Sequence, residues 1–439
     1  MGAPKMFRSA VTRRLLIALA ITAVGVAAGR IAGAGRVDDL VDGEAYFYAV
    51  TALLAIGLYS STHGIERGQM RTDLRTVVLA VTVGVLAKAA VITLVMVVLF
   101  PGPEALVLGV AVAQIDPLSV AALQSSSRLS PRGKSLLLAW ASFDDPVTTL
   151  LTIYAATLSV AVHDLGRTDA LTELQGGGLS GFVAGAAFNA AFAAVVCGLW
   201  WLVLRRVRPG GAAAFTAGCV LLLVAAVVAV SQFWMLGVAI VGLFVRPSLA
   251  GAPEAFERRI GQLTQVALLL AILGTGFLLS MRVLFVAGLV LGVTAYAVHA
   301  VVSLPLTRGQ TPDDRVQLAI AQQNGITAIV LSLLLAPVFP EVVATVTPAI
   351  VVINALHALC NTAYNRAGSW AAIRDRLRPS PSRSSRQEPA LYINEAGAEI
   401  ASPTQPAAGA FNCAPMPAQP QPGAPASAVS PPPAPDPDD

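Results

Sequence analysis

Long apolar stretches, separated by short charged or Pro- and Gly-containing breaks, occupy most of the chain up to about residue 366. A helix that crosses a bilayer needs about 20 predominantly apolar residues, because the hydrocarbon core is about 30 Å thick. We predict a transmembrane helix in each of twelve ranges, which are 14–33, 45–62, 76–100, 105–123, 135–162, 179–204, 212–230, 232–245, 262–281, 283–304, 316–336 and 342–363. The pattern therefore predicts an all-α polytopic membrane protein with about 12 transmembrane helices.

The composition agrees with a membrane protein. Hydrophobic residues make up 55% of the 439 residues and charged residues 12%, about half the charged fraction of a typical soluble domain. The net charge of +4 is spread over loops, so we expect no nucleic-acid partner. The four cysteines form no CxxC or Cys/His cluster, so we expect no disulfide framework, zinc site or other cofactor.

The basic residues predict which side of the membrane each loop occupies. If the N-terminus is cytoplasmic, 24 of the 29 Lys and Arg residues fall in cytoplasmic segments, 4 fall outside, and Lys88 lies within a span. We therefore predict a plasma (inner) membrane protein with both termini in the cytoplasm, a cytoplasmic N-terminus at 1–13 and a transmembrane domain at 14–366. Residues 367–439 are predicted to be a cytoplasmic tail, disordered from about 379, because Pro, Ala and Ser dominate there.

Two adjacent carboxylates, Asp144 and Asp145, lie in the middle of the fifth span. Lys134 marks the aqueous end of this segment, and Asp144 follows ten residues later, at a depth of roughly 15 Å. A charged side chain at that depth costs at least ~2.5–3.5 kcal/mol, which indicates an ion or proton pathway.

The acid pair suits the exchange of a cation for a proton. Two carboxylates that share a poorly solvated site cannot both ionise easily, so one of them can release a proton when a cation arrives. Carboxylate and freed carbonyl oxygens also suit hard monovalent cations. We therefore expect Asp144 and Asp145 to bind a transported cation, and we expect no catalytic residue.

The fourth and eleventh spans are predicted to be interrupted near the midplane. Pro117 should kink or unwind the fourth span, and Asp116 either caps a freed helix end or binds a cation itself. Polar residues and a glycine interrupt the eleventh span at Gln323, Asn324 and Gly325. Two interrupted helices in opposite orientation are typical of inverted-repeat transporters, and an ordinary interhelical hydrogen-bond patch is the alternative.

Two basic residues also lie at mid-membrane positions. Lys88 is too central in the third span to reach water, so it either has a buried carboxylate partner or titrates. A structural ion pair and a role in transport are the two interpretations of Lys88. His299 in the tenth span is interpreted as a hydrogen-bonded packing residue, with a proton-coupled role as the alternative.

At these residues the chain resembles the monovalent cation:proton antiporter superfamily, the sodium/proton antiporters that include the sodium/hydrogen exchanger family. The resemblance covers roughly 40–365. Two segments 28 residues apart carry it, Gln114-Ile115-Asp116-Pro117-Leu118-Ser119-Val120 and Ser142-Phe143-Asp144-Asp145. The resemblance implies two interrupted helices that cross at the midplane and a core domain that moves against a scaffold in an elevator-like way, usually within a homodimer.

The resemblance also assigns roles to the two acids. Asp145 matches the family's essential ion- and proton-binding carboxylate. Asp144 matches a position that is Asn in electroneutral members and Asp in electrogenic ones. The chain departs from the family at Trp140 and at Asn324-Gly325, where electroneutral members carry a Glu and an Arg-Gly. Electrogenic relatives place a Lys in the tenth span, so Lys88 or His299 is the candidate replacement.

We therefore expect a secondary transporter, not an enzyme, that exchanges Na⁺, or else K⁺ or Li⁺, for H⁺. Asp145 and Asp144 are the expected cation and proton ligands, and the supporting residues are Asp116, Pro117, Gln323, Asn324, Lys88 and His299. The alternatives are a sodium-coupled organic-anion symporter on a related fold and a non-transporting sensor descended from an antiporter. An intramembrane aspartyl protease also needs two buried aspartates, but its Tyr-Asp and Gly-x-Gly-Asp motifs are absent.

Overall fold

A computed structural model describes residues 3–65, 74–115, 129–165, 178–207, 212–247, 253–323 and 325–367. All of them belong to the first of two units of the chain, Met1–Arg378. The described residues form the helices α1 (Ala3–Ala32), α2 (Ala34–Val41), α3 (Glu44–His63), α4 (Leu74–Leu99), α5 (Glu104–Ala111), α6 (Pro131–His163), α7 (Gly178–Arg206), α8 (Ala212–Gln232), α9 (Met235–Phe244), α10 (Pro253–Leu279), α11 (Phe285–Leu306), α12 (Pro312–Ala319), α13 (Ile326–Leu335) and α14 (Glu341–Ala367).

Helices lie in all of the predicted ranges, so the all-α prediction is confirmed. Within the described ranges, eight helices are long and apolar enough to cross a membrane, namely α3, α4, α6, α7, α8, α10, α11 and α14. The first predicted span, 14–33, ends at Gly33, where the chain bends by 108° between α1 and α2. The φ of Gly33 is 82°, which is readily adopted only by glycine. The fourth, eighth and eleventh predicted spans contain shorter helices.

The two helix interruptions predicted from sequence are present. In the fourth span, α5 ends at Ala111, and the chain is non-helical up to Ile115, the last described residue there. In the eleventh span, α12 ends at Ala319 and α13 begins at Ile326. An antiparallel β-bridge joins Ile115 to Gln323. The two interruptions therefore meet, side by side, inside the helix bundle.

Similar caps start the two helices that approach this meeting point, α6 and α12. Ser130 caps α6 by accepting a hydrogen bond from Gly133 N, and Thr311 caps α12 by accepting one from Asp314 N. Each cap is followed by a proline at the first helical position, where no backbone donor is lost. The Asp314 carboxylate also accepts hydrogen bonds from Ser130 N at 2.8 Å and from Ser130 Oγ at 2.6 Å. The start of α6 is thereby tied to the start of α12.

The largest hydrophobic core surrounds the interruptions. Its fully buried members include Leu58 of α3, Ile92 of α4, Ile153 of α6, Leu331 of α13 and Val346 of α14. Exposed apolar side chains cover the outer faces of the long helices, as expected where lipid is the solvent. The polar centre is consequently enclosed by apolar packing.

Candidate functional site

Asp144 forms a fully buried ion pair on α6. Its Oδ2 accepts hydrogen bonds from Lys88 Nζ of α4 and from the backbone N of Ile115, both at 2.9 Å. The side chain of Lys88 is 1% exposed, and that of Asp144 is 0% exposed. Breaking such a pair by removing one partner is costly, because it leaves a buried charge uncompensated. Asp144 therefore links α4, α6 and the extended stretch after α5.

Asp145, the next residue, contacts different groups. Its side chain is 1% exposed, and its Oδ2 accepts a hydrogen bond from Thr327 Oγ1 at 2.8 Å. Thr327 lies in the first turn of α13, immediately after the interruption of the eleventh span. Adjacent residues on a helix point about 100° apart, which explains why the two acids meet different partners.

Gln114 joins Asp145 to the start of α13. In the amide orientation that satisfies both of its polar atoms, Gln114 donates to Asp145 Oδ1 at 3.2 Å and accepts from Ala328 N at 2.7 Å. The N–H groups of a helix's first turn have no partner within the helix, so Gln114 caps α13 from the other interrupted segment. Asp145 is thus in contact with both interruptions through neutral donors.

Lys88, Trp140 and His299 lie in a row across the bundle. Lys88 Nζ is 5.8 Å from the centroid of the Trp140 ring, and the Trp140 and His299 rings are 5.7 Å apart. His299 is fully buried, and its Nε2 donates to Leu318 O of α12 at 3.1 Å. These contacts match the packing interpretation of His299.

Other polar groups hold the interruption of the eleventh span. His357 Nδ1 donates to Ile320 O at 2.7 Å, and Tyr296 OH donates to the same carbonyl at 3.3 Å. Gln322 donates to Asn354 Oδ1 at 2.9 Å. Gln323 is buried beside Ile115, and its Nε2 has no hydrogen-bond partner. The carbonyls freed by the interruption are therefore fixed in place.

The structure brings together Asp144, Asp145, Lys88 and Gln323, with His299 adjoining them through Trp140. Asp116, Pro117 and Asn324 lie outside the described residues, so the predicted capping role of Asp116 stays a prediction. Sequence reasoning assigned no role to Gln114 or Thr327. The available signal was their position, two residues before Asp116 and two after Gly325, next to the predicted breaks.

The polar side chains in contact with Asp145 carry oxygen atoms of the kind that bind hard cations. Among the described residues, no group of three or more His, Cys, Asp or Glu side chains could hold a metal ion. The Asp145 carboxylate, the Thr327 hydroxyl and the Gln114 amide are in contact there. Carboxylate, hydroxyl and amide oxygens are the ligands that hard cations prefer.

Comparisons with known proteins identify the fold. No protein-family model and no curated protein matches the sequence. The chain is similar to the structure of the sodium proton antiporter MjNhaP1 from Methanocaldococcus jannaschii at pH 8, with a TM-score of 0.55 and 15% identity over 83% of this chain and 94% of that chain. An electron-microscopy map of the same antiporter gives a TM-score of 0.46 and 16% identity over 75% and 84% of the two chains. The first likeness shows that the chain has a sodium/proton antiporter fold.

Proposed function

We propose that this protein exchanges a monovalent cation for H⁺ across a membrane, with Asp145 as the group for which the two ions compete. The observation that carries the proposal is the position of Asp145. It is buried on α6 where the two interrupted segments meet, and it contacts Thr327 from one segment and Gln114 from the other. A carboxylate held by neutral donors can take up either a proton or a cation.

Asp144 plays a different part in the same site. Its charge is balanced by Lys88, and its second hydrogen bond fixes the backbone at Ile115. It therefore sets the electrostatic field and the shape of the site beside Asp145, and its Oδ1 has no hydrogen-bond partner. In this proposal Asp144 tunes Asp145 or shares its protons.

Na⁺ is the proposed cation, with K⁺ and Li⁺ as the competitors to be tested. The similar solved structure is that of a protein named as a sodium proton antiporter, which supports this order. Access from alternate sides would come from elevator-type movement of the segment that carries Asp145. We further propose a homodimer in the plasma membrane, surrounded by lipid, with both termini in the cytoplasm.

Dye-quenching in inside-out membrane vesicles tests the proposal. After respiration acidifies the lumen, NaCl, LiCl, KCl or choline chloride is added in turn to vesicles with the wild type or Asp145→Asn. We expect dequenching by at least one alkali cation, none by choline, and loss of the response in the variant at equal expression. Exchange retained by Asp145→Asn would refute the assignment of Asp145. No response to any cation between pH 6.5 and 9 would refute antiport and favour the symporter or the sensor.

A further inference from the structure

Two buried threonines next to the site have hydroxyl groups without hydrogen-bond partners. Thr148 and Thr152 of α6 are both 0% exposed, and neither Oγ1 has a partner. Burying a hydroxyl without a hydrogen bond costs about 1–3 kcal/mol on the scale of protein mutations. Valine would fill the same volume without that cost, so packing alone does not explain these hydroxyls.

Threonines elsewhere in the described helices behave differently. A helical threonine normally satisfies its hydroxyl by donating to the carbonyl three or four residues earlier in its own helix. The next threonine of α6, Thr149, donates to Asp145 O at 2.9 Å, and Thr51 of α3 donates to Phe47 O at 2.8 Å. Thr148 and Thr152 thus lack a bond that their neighbours make.

These hydroxyls are in line with Asp144, the neighbour of the candidate ion ligand Asp145. Asp144, Thr148 and Thr152 follow one another at intervals of four residues, so they share one face of α6 and rise about 6 Å per step. The Asp144 Oδ1 also has no partner. Three buried oxygens without partners therefore extend from the site toward the C-terminal end of α6.

Near the far end of the helix, the same face of α6 contacts a segment that borders a cavity. Ser159, seven residues after Thr152, is buried and donates to Pro103 O at 2.5 Å. Pro103 lies between Gly102 and Glu104, two residues that line a cavity of about 480 Å³ at the start of α5. The row of oxygens thus leads from Asp144 toward a cavity that has a carboxylate in its wall.

We propose that Thr148 and Thr152 line the passage by which the transported monovalent cation moves between Asp145 and the cavity beside Pro103. This inference rests on the proposed function. The hydroxyl oxygens replace part of the cation's hydration shell along the apolar interior of the bundle, and the Glu104 carboxylate attracts cations to the mouth of the passage. The predicted topology places this mouth on the outer side of the membrane.

Isosteric substitution gives the first test. Thr148→Val and Thr152→Val remove only a hydroxyl that bonds to no protein group, so we expect unchanged expression and thermal stability. Since a hydrogen bond to a charged group contributes about 1.5–3 kcal/mol, we expect the rate of exchange to fall about tenfold or more in each. Serine at either position should restore it. Thr51→Val, which removes a bonded hydroxyl from another helix, is the matched control and should exchange normally. Wild-type rates in both valine variants would overturn the proposal.

Cysteine accessibility gives a second test that does not depend on transport. Cys197, Cys219, Cys360 and Cys413 are first replaced by alanine, and Thr148→Cys or Thr152→Cys is then treated with a membrane-impermeant thiol reagent from either side. The exposed Asp164, at the end of α6, provides the reference Asp164→Cys for that side. We expect modification from the side that modifies Asp164→Cys, slowed by the transported cation. Modification from the opposite side only, or from neither side, would contradict the proposed passage.

The two tests distinguish the passage from the proposed function. If wild-type vesicles respond to no alkali cation, the proposed function fails, and the thiol reagent still decides whether this face of α6 lines a passage. If exchange occurs but the threonines are neither sensitive to valine nor accessible, the function stands and the passage is wrong.

Discussion

Lys88 and Asp144 form an ion pair between two completely buried side chains, with 2.9 Å between Nζ and Oδ2. Thr327 and Gln114, which are both neutral, contact the neighbouring Asp145. The adjacent acids are thus divided between two roles. Asp144 is paired with a buried lysine, whereas Asp145 accepts hydrogen bonds from a hydroxyl and an amide.

Lys88→Met should destabilise the protein strongly, because it leaves Asp144 buried without its cation. Breaking a buried pair in this way costs about 3–5 kcal/mol, which we expect to appear as a lower melting temperature of the detergent-purified protein and a lower yield. The double variant Lys88→Met/Asp144→Asn removes both charges and should recover most of the stability. A single variant as stable as the wild type would contradict the structural role of the pair.

Gln114→Leu should affect both the site and the start of α13. The substitution removes the donor to Asp145 and the acceptor for Ala328 N, and a buried group left without its partner costs about 1–3 kcal/mol. We expect a lower melting temperature together with an altered apparent affinity for the cation. Gln322→Leu is the matched control, since it also loses a side-chain hydrogen bond, the one to Asn354. An unchanged affinity in Gln114→Leu would show that the side chain does not act on Asp145.

A comparison of Thr327→Val with Thr327→Ser distinguishes the effect of the Thr327 hydroxyl from the effect of the side chain's shape. Valine removes the hydrogen bond to Asp145 Oδ2, and serine keeps it. Because hydrogen bonds to a charged group contribute about 1.5–3 kcal/mol, we expect about tenfold slower exchange for valine, and near wild-type exchange for serine. Initial rates in proteoliposomes measure the effect. Equal exchange rates for the two variants would show that the Thr327 hydroxyl does not act on Asp145.

Asp314→Ala should remove the hydrogen bonds that connect the start of α6 to the start of α12. Asp314 is 2% exposed and accepts hydrogen bonds from both Ser130 N and Ser130 Oγ. Its loss leaves both donors of the half-buried Ser130 without their acceptor, at up to about 1–3 kcal/mol each, so thermal stability should fall. The exposed Asp39 of α2 provides the control Asp39→Ala, which should leave the melting temperature unchanged. An equal melting temperature in both variants would contradict this assignment.

Much of the fold could be predicted because the distribution of hydrophobic residues along the chain is enough to locate the helices. A helix lies in each of the predicted ranges, with α2 as an additional helix between the first two, and Gly325 lies in the interruption between α12 and α13. In the fourth span α5 ends at Ala111, six residues before Pro117, which lies outside the described residues. The boundary between the seventh and eighth spans was less accurate. There α8 continues to Gln232 and α9 begins only at Met235, because Phe233 adopts a left-handed conformation with a φ of 55°. No apolar pattern reports such a local turn.

The candidate site was predictable only in part. A buried charge in an apolar run is visible in the sequence, so Asp144, Asp145 and Lys88 were found. Gln114, Thr327 and the threonines of α6 are common polar residues of low cost in a helix, and nothing in their spacing separates them from ordinary packing residues. Their significance depends on the groups that they contact or fail to contact.

The sequence by itself determined the membrane class, the helical ranges and the depth of the acid pair, since these depend on the linear distribution of apolar residues along helices of fixed rise. Only the tertiary structure decided which acid pairs with Lys88 and which contacts Thr327. The partners lie 56 and 182 residues away in the chain, and the two acids differ by a rotation of about 100° about α6. Side-chain direction and helix packing set that choice, and neither can be inferred from hydrophobicity along the chain.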